Sequence, residues 1–295
     1  MYENGRRYHS LNAGNYSVPN DEVRFRPHPS FPRGILNWMR KQSEQDRLDM
    51  YHHATSLMLK GALHVAVLPK KLDRILDLGT GTGIWAIDMA DEHPKSSVFG
   101  ADLSPIQPSW VPPNCTFEVD DITRPWLWKE PFDFIHSANL SQGIRDWPEY
   151  VQRIYDNLVP GGVVEIRESQ TRFHTDDDSK HKGGFLEKYE NDFIKSAAMA
   201  GINDVCEKLQ GFVEDAGFVD VKVVVKKLPL GAWPKDRKKK ELGAWGLAIM
   251  EQGFKSYGIA LFTRCLEMST EDAEELCDRA FDELRRQDVH IYAAE

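Results

Sequence analysis

Cysteine is scarce in this chain, with only Cys115, Cys206, Cys265 and Cys277 among 295 residues. None form a C-x-x-C pair and none have zinc spacing, so a zinc ribbon or a thioredoxin-like motif is excluded. Four reduced thiols and no metal are expected. Long apolar runs are also missing. No stretch approaches the roughly 18 consecutive apolar residues of a membrane span, and no membrane contact is expected. The opening residues, MYENGRRYHS, contain no apolar core, so no secretory signal is expected from them. Positive charge is in deficit, with 46 acidic against 37 basic residues. That balance argues against a nucleic-acid partner. The basic run Lys235, Arg237, Lys238, Lys239 and Lys240 is diluted by Asp236 and Glu241 and reads as a solvated helix start.

What is present suits a globular protein. Apolar residues make up 41% and charged residues 28%, which supplies a core and argues against disorder. Residues 1–44 read as an arm. Gly5, Gly14, Pro19, Pro27, Pro29 and Pro32 break any helix there. Tyr2, Tyr8, Tyr16, Phe25 and Phe31 are nevertheless too aromatic for a free tail. Residues 45–295 read as one domain. A helix is expected over Gln45–Leu68, where Leu48, Tyr51, His52, Thr55, Leu59, Leu63 and Ala66 recur at helical spacing. Short apolar strands follow at 74–78, 97–101, 115–119, 132–136 and 163–166, with helices at 84–92 and 148–158 between them. Alternation of this kind means an α/β fold with a parallel sheet covered on both faces. Further helices are expected at 184–200, 206–216, 239–253 and 259–267, and another from Thr270 with Ser269 or Thr270 as its N-cap. The run VDVKVVVKKL at 219–228 reads as a sixth strand, and 290–293 as a short last one.

The strongest motif is Asp77-Leu78-Gly79-Thr80-Gly81-Thr82-Gly83. Alternate glycines after a buried strand allow a tight turn and a close ligand approach. The helix that follows offers backbone N–H groups to that ligand. The spacing is G-x-G-x-G, without the Gly-Lys-Ser/Thr ending of a phosphate loop and without a basic residue for phosphates. Asp77 stands before the loop as a carboxylate suited to an ammonium group. Asp102 ends the next strand, where an acid can accept from both hydroxyls of a ribose. Asp121 and Ile122 end the third strand, where they can meet an exocyclic amine and an adenine face. An ammonium, a ribose and an adenine without phosphates describe S-adenosylmethionine, which leaves as S-adenosylhomocysteine.

The runs DLGTGTGIWAIDMADEHP, GADLSPIQPSWVPPN, FEVDDITRPW and IRDWPEYV resemble fungal class I methyltransferases of the LaeA-like group. The resemblance extends to QDRLDMYHHATSLML before them and LGAWPKDRKKKELGAWGL after them. It implies a Rossmann-like, seven-stranded, mostly parallel sheet in the order 3-2-1-4-5-7-6, with a helical N-terminal cap. It further implies that Asp77, Gly79, Thr80, Gly81 and Gly83 cradle the methionine part and that Asp102 and Leu103 take the ribose and adenine. Asp121 and Ile122 would hold the adenine, Ser137 would lie near the sulfonium, and Tyr8 would close over the cofactor. Residues 229–269 would form a lid insertion, with Trp245, Met250 and Tyr257 lining an apolar pocket for an aromatic or polyketide-like substrate. The group's usual basic residue after the fourth strand is absent, and Ala138 stands there instead.

Methyl transfer needs an acceptor aligned with the sulfonium, and a hydroxyl acceptor benefits from a base. The candidates are His136 at the end of the fourth strand, His52 on the N-terminal helix and Glu168 after the fifth strand. The leading expectation is a methyltransferase of fungal secondary metabolism, cytoplasmic, acting on a small, largely apolar molecule, with O-methylation as the first choice. Two alternatives stay open. One is a nuclear regulator working through protein partners, and the other is a cofactor-binding protein that does not methylate. A monomer and a homodimer are equally open.

Overall fold

The computed structural model describes residues 44–177, 179, 184–202 and 204–295, and the backbone of Tyr2–Glu3 and Arg6–Arg7. The latter are two short strands, β1 (Tyr2–Glu3) and β2 (Arg6–Arg7), paired antiparallel. Tyr8 and most of the expected arm lie outside the described residues. The chain divides into two compact units. One comprises residues 59–168 and 204–224, and the other comprises the described residues within 1–58, 169–203 and 225–295.

The first unit is built on a five-stranded parallel sheet. Its strands are β3 (Arg74–Leu78), β4 (Ser97–Asp102), β5 (Cys115–Val119), β6 (Phe132–Ala138) and β7 (Leu158–Arg167), in the order β5-β4-β3-β6-β7. The central strands are apolar on both faces because helices cover both. Helix α2 (Ile84–Glu92) packs Trp85, Ala86 and Met89 with Ile75, Val98 and Phe134. On the other face α3 (Trp147–Asp156) and α5 (Cys206–Asp215) pack Tyr150, Val151, Ile154 and Val213 with Leu76, Leu78, Phe132 and Ile135. Chain order reverses beside β3, with β4 on one side and β6 on the other. Open α/β sheets bind ligands beyond the strand ends at such a point. β7 begins earlier than its apolar core suggests. A register shift between Phe132 and Phe134 of β6 absorbs Pro160, Gly161 and Gly162 of β7, so the proline-glycine stop lies inside the strand.

The second unit gathers α1 (Glu44–Met58), α4 (Phe185–Met199), α6 (Arg237–Cys265) and α7 (Thr270–Leu284). They bury Met50, Tyr189, Phe254, Phe262, Leu276 and Leu284 in one cluster. Asp236 caps α6 by accepting from Lys239 N at 2.9 Å, and the basic residues after it are exposed, as a solvated helix start requires. Gly243 and Gly246 have no room for a side chain, because a Cβ would meet the carbonyls of Gly231 and Pro229. Ser269 caps α7 by accepting from Asp272 N at 3.0 Å. A small antiparallel sheet, β8 (Phe173–Thr175), β10 (Ile291–Ala294) and β9 (Lys227–Pro229) in that order, completes the unit.

The fold class is as expected, and the strand count is corrected. The parallel sheet has five strands rather than seven. The last expected strand, β10, forms, but in the small sheet. Of the run at 219–228 only its end enters β9. Asp220 takes a left-handed φ of 57°, and Val219, Val223 and Val225 are exposed. Alternation supplies a strand signal, but pairing is a tertiary matter that sequence pattern does not set. The first expected helix stops at Met58 rather than Leu68, and the two expected at 239–253 and 259–267 are one continuous α6. All four cysteines are free thiols, and Cys115 and Cys277 are buried.

Candidate functional site

The site begins at the end of β3. Asp77 is 3% exposed, and both its oxygens have fixed partners. Thr80 Oγ1 donates to Oδ2 at 2.6 Å, and His136 Nδ1 lies 2.7 Å from Oδ1. Asp77 and His136 are register partners on adjacent strands, so the sheet itself brings them together. A carboxylate only accepts, so the imidazole carries its proton on Nδ1. The ring of His136 stacks on Trp85 at 3.8 Å and 7°. Trp85 is fixed in turn by its indole N–H, which donates to Leu63 O at 2.9 Å.

The loop after Asp77 takes the backbone that its glycines were expected to allow. Gly79, Gly81 and Gly83 have φ values of 66°, 57° and 82°, a region that costs other residues roughly 1–2 kcal/mol. Gly79 is also a point of close approach, since a Cβ there would overlap Leu140 Cδ2. No side chain caps α2, which starts directly after Gly83. Asp102 ties the loop to β4. Its Oδ2 accepts from Gly81 N and its Oδ1 from Ser104 N, each at 2.9 Å. Burial pushes this carboxyl up to about 6. Gln107, which no sequence signal marks, donates to Gly81 O at 2.7 Å and Ser104 O at 3.0 Å. Leu103 lies half-buried beside them.

Other expected residues turn inward. Asp121 accepts from Thr123 N at 3.1 Å and Thr123 Oγ1 at 2.6 Å, and its carboxylate pairs with Arg124 at 3.1 Å. Ile122 belongs to the core beneath α3. Ser137 is fully buried, and its hydroxyl accepts from Tyr150 at 2.9 Å.

Two of the expected bases, His136 and Glu168, are not open to an acceptor in this arrangement. His136 is 2% exposed, and its Nε2 is enclosed without a hydrogen-bond partner. Glu168 is buried, and its carboxylate accepts from Leu140 N at 2.7 Å and Ser141 N at 3.2 Å. His52 lies half-buried on α1 in the other unit.

The three expected substrate residues share α6. Trp245 meets His53 edge-on at 4.6 Å, and Met250 packs against the helical core. Burial lowers the His53 imidazole's affinity for a proton, and neighbouring His52 adds to it. Tyr257 is committed within the unit, since its hydroxyl accepts from Arg47 NH1 at 2.7 Å and its ring lies 4.8 Å beneath the guanidinium.

The residues at the end of β3 fit the cofactor expected from the sequence. The loop from Asp77 to Ala86 carries no cation to meet phosphates. Two carboxylates flank left-handed glycines at an uncapped helix start. Each Asp102 oxygen keeps a lone pair for a ribose hydroxyl after its backbone bond. Among the described residues no group of three or more His, Cys, Asp or Glu is placed to hold a metal ion. No helix among them is long and apolar enough to cross a membrane.

Comparison with known proteins adds four findings. A model of the methyltransferase domain family matches residues 50–222. The chain is 36% identical over 291 residues to the methyltransferase pytC of Aspergillus terreus, covering 98% of this chain and 84% of that protein. It is 33% identical over 270 residues to the secondary metabolism regulator LAE1 of Cochliobolus heterostrophus, covering 89% and 81%. Among solved structures it is similar to phosphoethanolamine N-methyltransferase 2 of Haemonchus contortus in complex with S-adenosyl-L-methionine. That match has 19% identity and a TM-score of 0.45, covering 83% of this chain and 51% of the other.

Proposed function

The chain belongs to the methyltransferase family, in its fungal LaeA-like branch, and uses S-adenosylmethionine; from there we propose that it methylates a small, largely apolar natural product, on oxygen first. The observation that carries the donor part is the loop of left-handed glycines between Asp77 and Asp102. Bound there, the cofactor supplies a methyl group on a sulfonium, ready for attack by an aligned nucleophile. Asp77, held by His136 and Thr80, faces the cofactor's ammonium. Gly79, Thr80, Gly81 and Gly83 give its methionine part close backbone contact. Asp102 would accept from the ribose, with Leu103 against the adenine.

The substrate part rests on the 36% identity to a methyltransferase over nearly the whole chain and on α6 of the helical unit. Trp245 and Met250 are only half-buried there, and they offer apolar surface to an aromatic acceptor. With His136 and Glu168 engaged elsewhere, alignment carries the rate, and the solvent takes a phenol's proton. Similarity to LAE1 supports a second reading, a regulator that acts on or through proteins.

One experiment separates these. Cofactor labelled on its methyl group is incubated with the protein and a fungal cell extract, and organic-soluble and protein fractions are counted. The proposal expects enzyme-dependent label in the organic fraction. Label confined to protein supports the regulator, and bound cofactor without transfer rejects both.

A further inference from the structure

Glu168 was expected as a base, yet its surroundings assign it another task. It follows β7, and two partners from the end of that strand grip the turn after β6. Arg167 O accepts from Asn139 N at 2.9 Å. Glu168 takes the next two N–H groups, Leu140 at 2.7 Å and Ser141 at 3.2 Å, one on each oxygen. Asn139 adopts a left-handed φ of 56°, so the chain reverses sharply into this grip. The turn then puts the Leu140 side chain into the space where Gly79 lacks a Cβ. A continuous path therefore runs from the Glu168 carboxylate through Leu140 to the first glycine of the cofactor loop.

We propose that Glu168 is a positioning residue for methyl transfer, holding the turn after β6 so that Leu140 seats the glycine loop in its ligand-binding shape. The inference rests on the reading that this loop binds S-adenosylmethionine. A buried carboxylate with two backbone donors is a strong clamp when ionised, because charge-assisted hydrogen bonds are about twice as strong as neutral ones. Protonation puts a donor where Ser141 N or Leu140 N needs an acceptor, and the clamp slackens.

The charge state is open to pH. Burial raises the Glu168 carboxyl to about 7, against the two backbone bonds, the Ser141 side chain and Arg167, all of which favour the anion. The other titratable groups facing it are Tyr150 on α3 and Cys206 on α5, both held neutral by burial. Two opposite trends follow. Cofactor affinity rises as pH climbs through about 7 and the clamp ionises. Fold stability moves the other way. A carboxyl raised above its ordinary value favours the fold when protonated, so its contribution declines from the ordinary carboxylate range up to about 7. A residue that merely supported the fold would move both together.

The test is calorimetric titration of S-adenosylmethionine into the wild type and Glu168→Gln between pH 6 and 8.5, with thermal melts alongside. The wild type should gain about tenfold in affinity across pH 7, the equivalent of one charged hydrogen bond. Glu168→Gln should bind about tenfold more weakly at pH 8 and lose that limb, while keeping the lower one due to Asp102. Its melting temperature at pH 8 should match or exceed the wild type. Leu140→Ala, which cuts the path one step later, should weaken binding at pH 8 and flatten the same limb. Wild-type affinity and an unaltered pH profile in both variants would overturn the proposal. A wild type that binds no cofactor at any pH would instead reject the cofactor reading beneath it.

Discussion

The two units of this chain use buried polar groups in opposite ways. In the sheet unit, Asp77 and Asp102 stand at strand ends and hold the glycine loop between them, Asp77 through Thr80 and Asp102 through Gly81. In the helical unit, Glu44, Arg47, Ser256 and Tyr257 satisfy one another. Arg47 Nε donates to Glu44 at 2.9 Å, its NH1 donates to Tyr257, and Ser256 Oγ donates to the other Glu44 oxygen at 2.9 Å. The first shapes the backbone loop that is proposed to take the cofactor. The second is complete and fixes α1 against α6. Polar burial by itself is therefore a poor guide to function.

Substitutions can break this contrast, and the largest effect belongs to the helical unit. Arg47→Met should lose about 3–5 kcal/mol of stability by stranding the Glu44 carboxylate, read by denaturant unfolding, with cofactor affinity in the folded fraction unchanged. An affinity loss as large as the stability loss would dissolve the division. Gly79→Ala should cost about 3 kcal/mol, from the left-handed backbone and the overlap with Leu140. It should damage stability and cofactor binding together, and a variant that melts and binds like the wild type would contradict the close approach. Asp102→Ala should reduce cofactor affinity by about 1.5–3 kcal/mol, roughly ten- to a hundredfold. Its affinity should also lose the gain seen as pH rises through about 6. Ser269→Ala is the mildest, about 1 kcal/mol of stability from the lost cap of α7. A silent melt there would remove Ser269 from the account.

The sheet unit was legible because its signals are local. Arg74–Leu78 is a short strand carrying an acid and running into alternate glycines, and strand, loop and ligand chemistry share the ten residues of Arg74–Gly83. The cap at Ser269 was legible for the same reason. What escaped depends on which residues meet across the fold. The pairing of Asp77 with His136 needs the register of β3 against β6. The grip of Glu168 on Leu140 and Ser141 needs β7 beside β6. Without those neighbours, both residues read as free bases at strand ends. The valines of 219–225 failed in the opposite sense, because their alternation is a strand signal that found no partner edge.

The central claim is that the loop after β3 binds S-adenosylmethionine through Asp77. Calorimetric titration of that cofactor into the wild type and Asp77→Asn tests it most directly, since asparagine keeps the shape and removes the charge. A single saturable site in the wild type, weakened at least tenfold in the variant, is the expected result. Absence of saturable binding, or equal affinity in the two proteins, would contradict it.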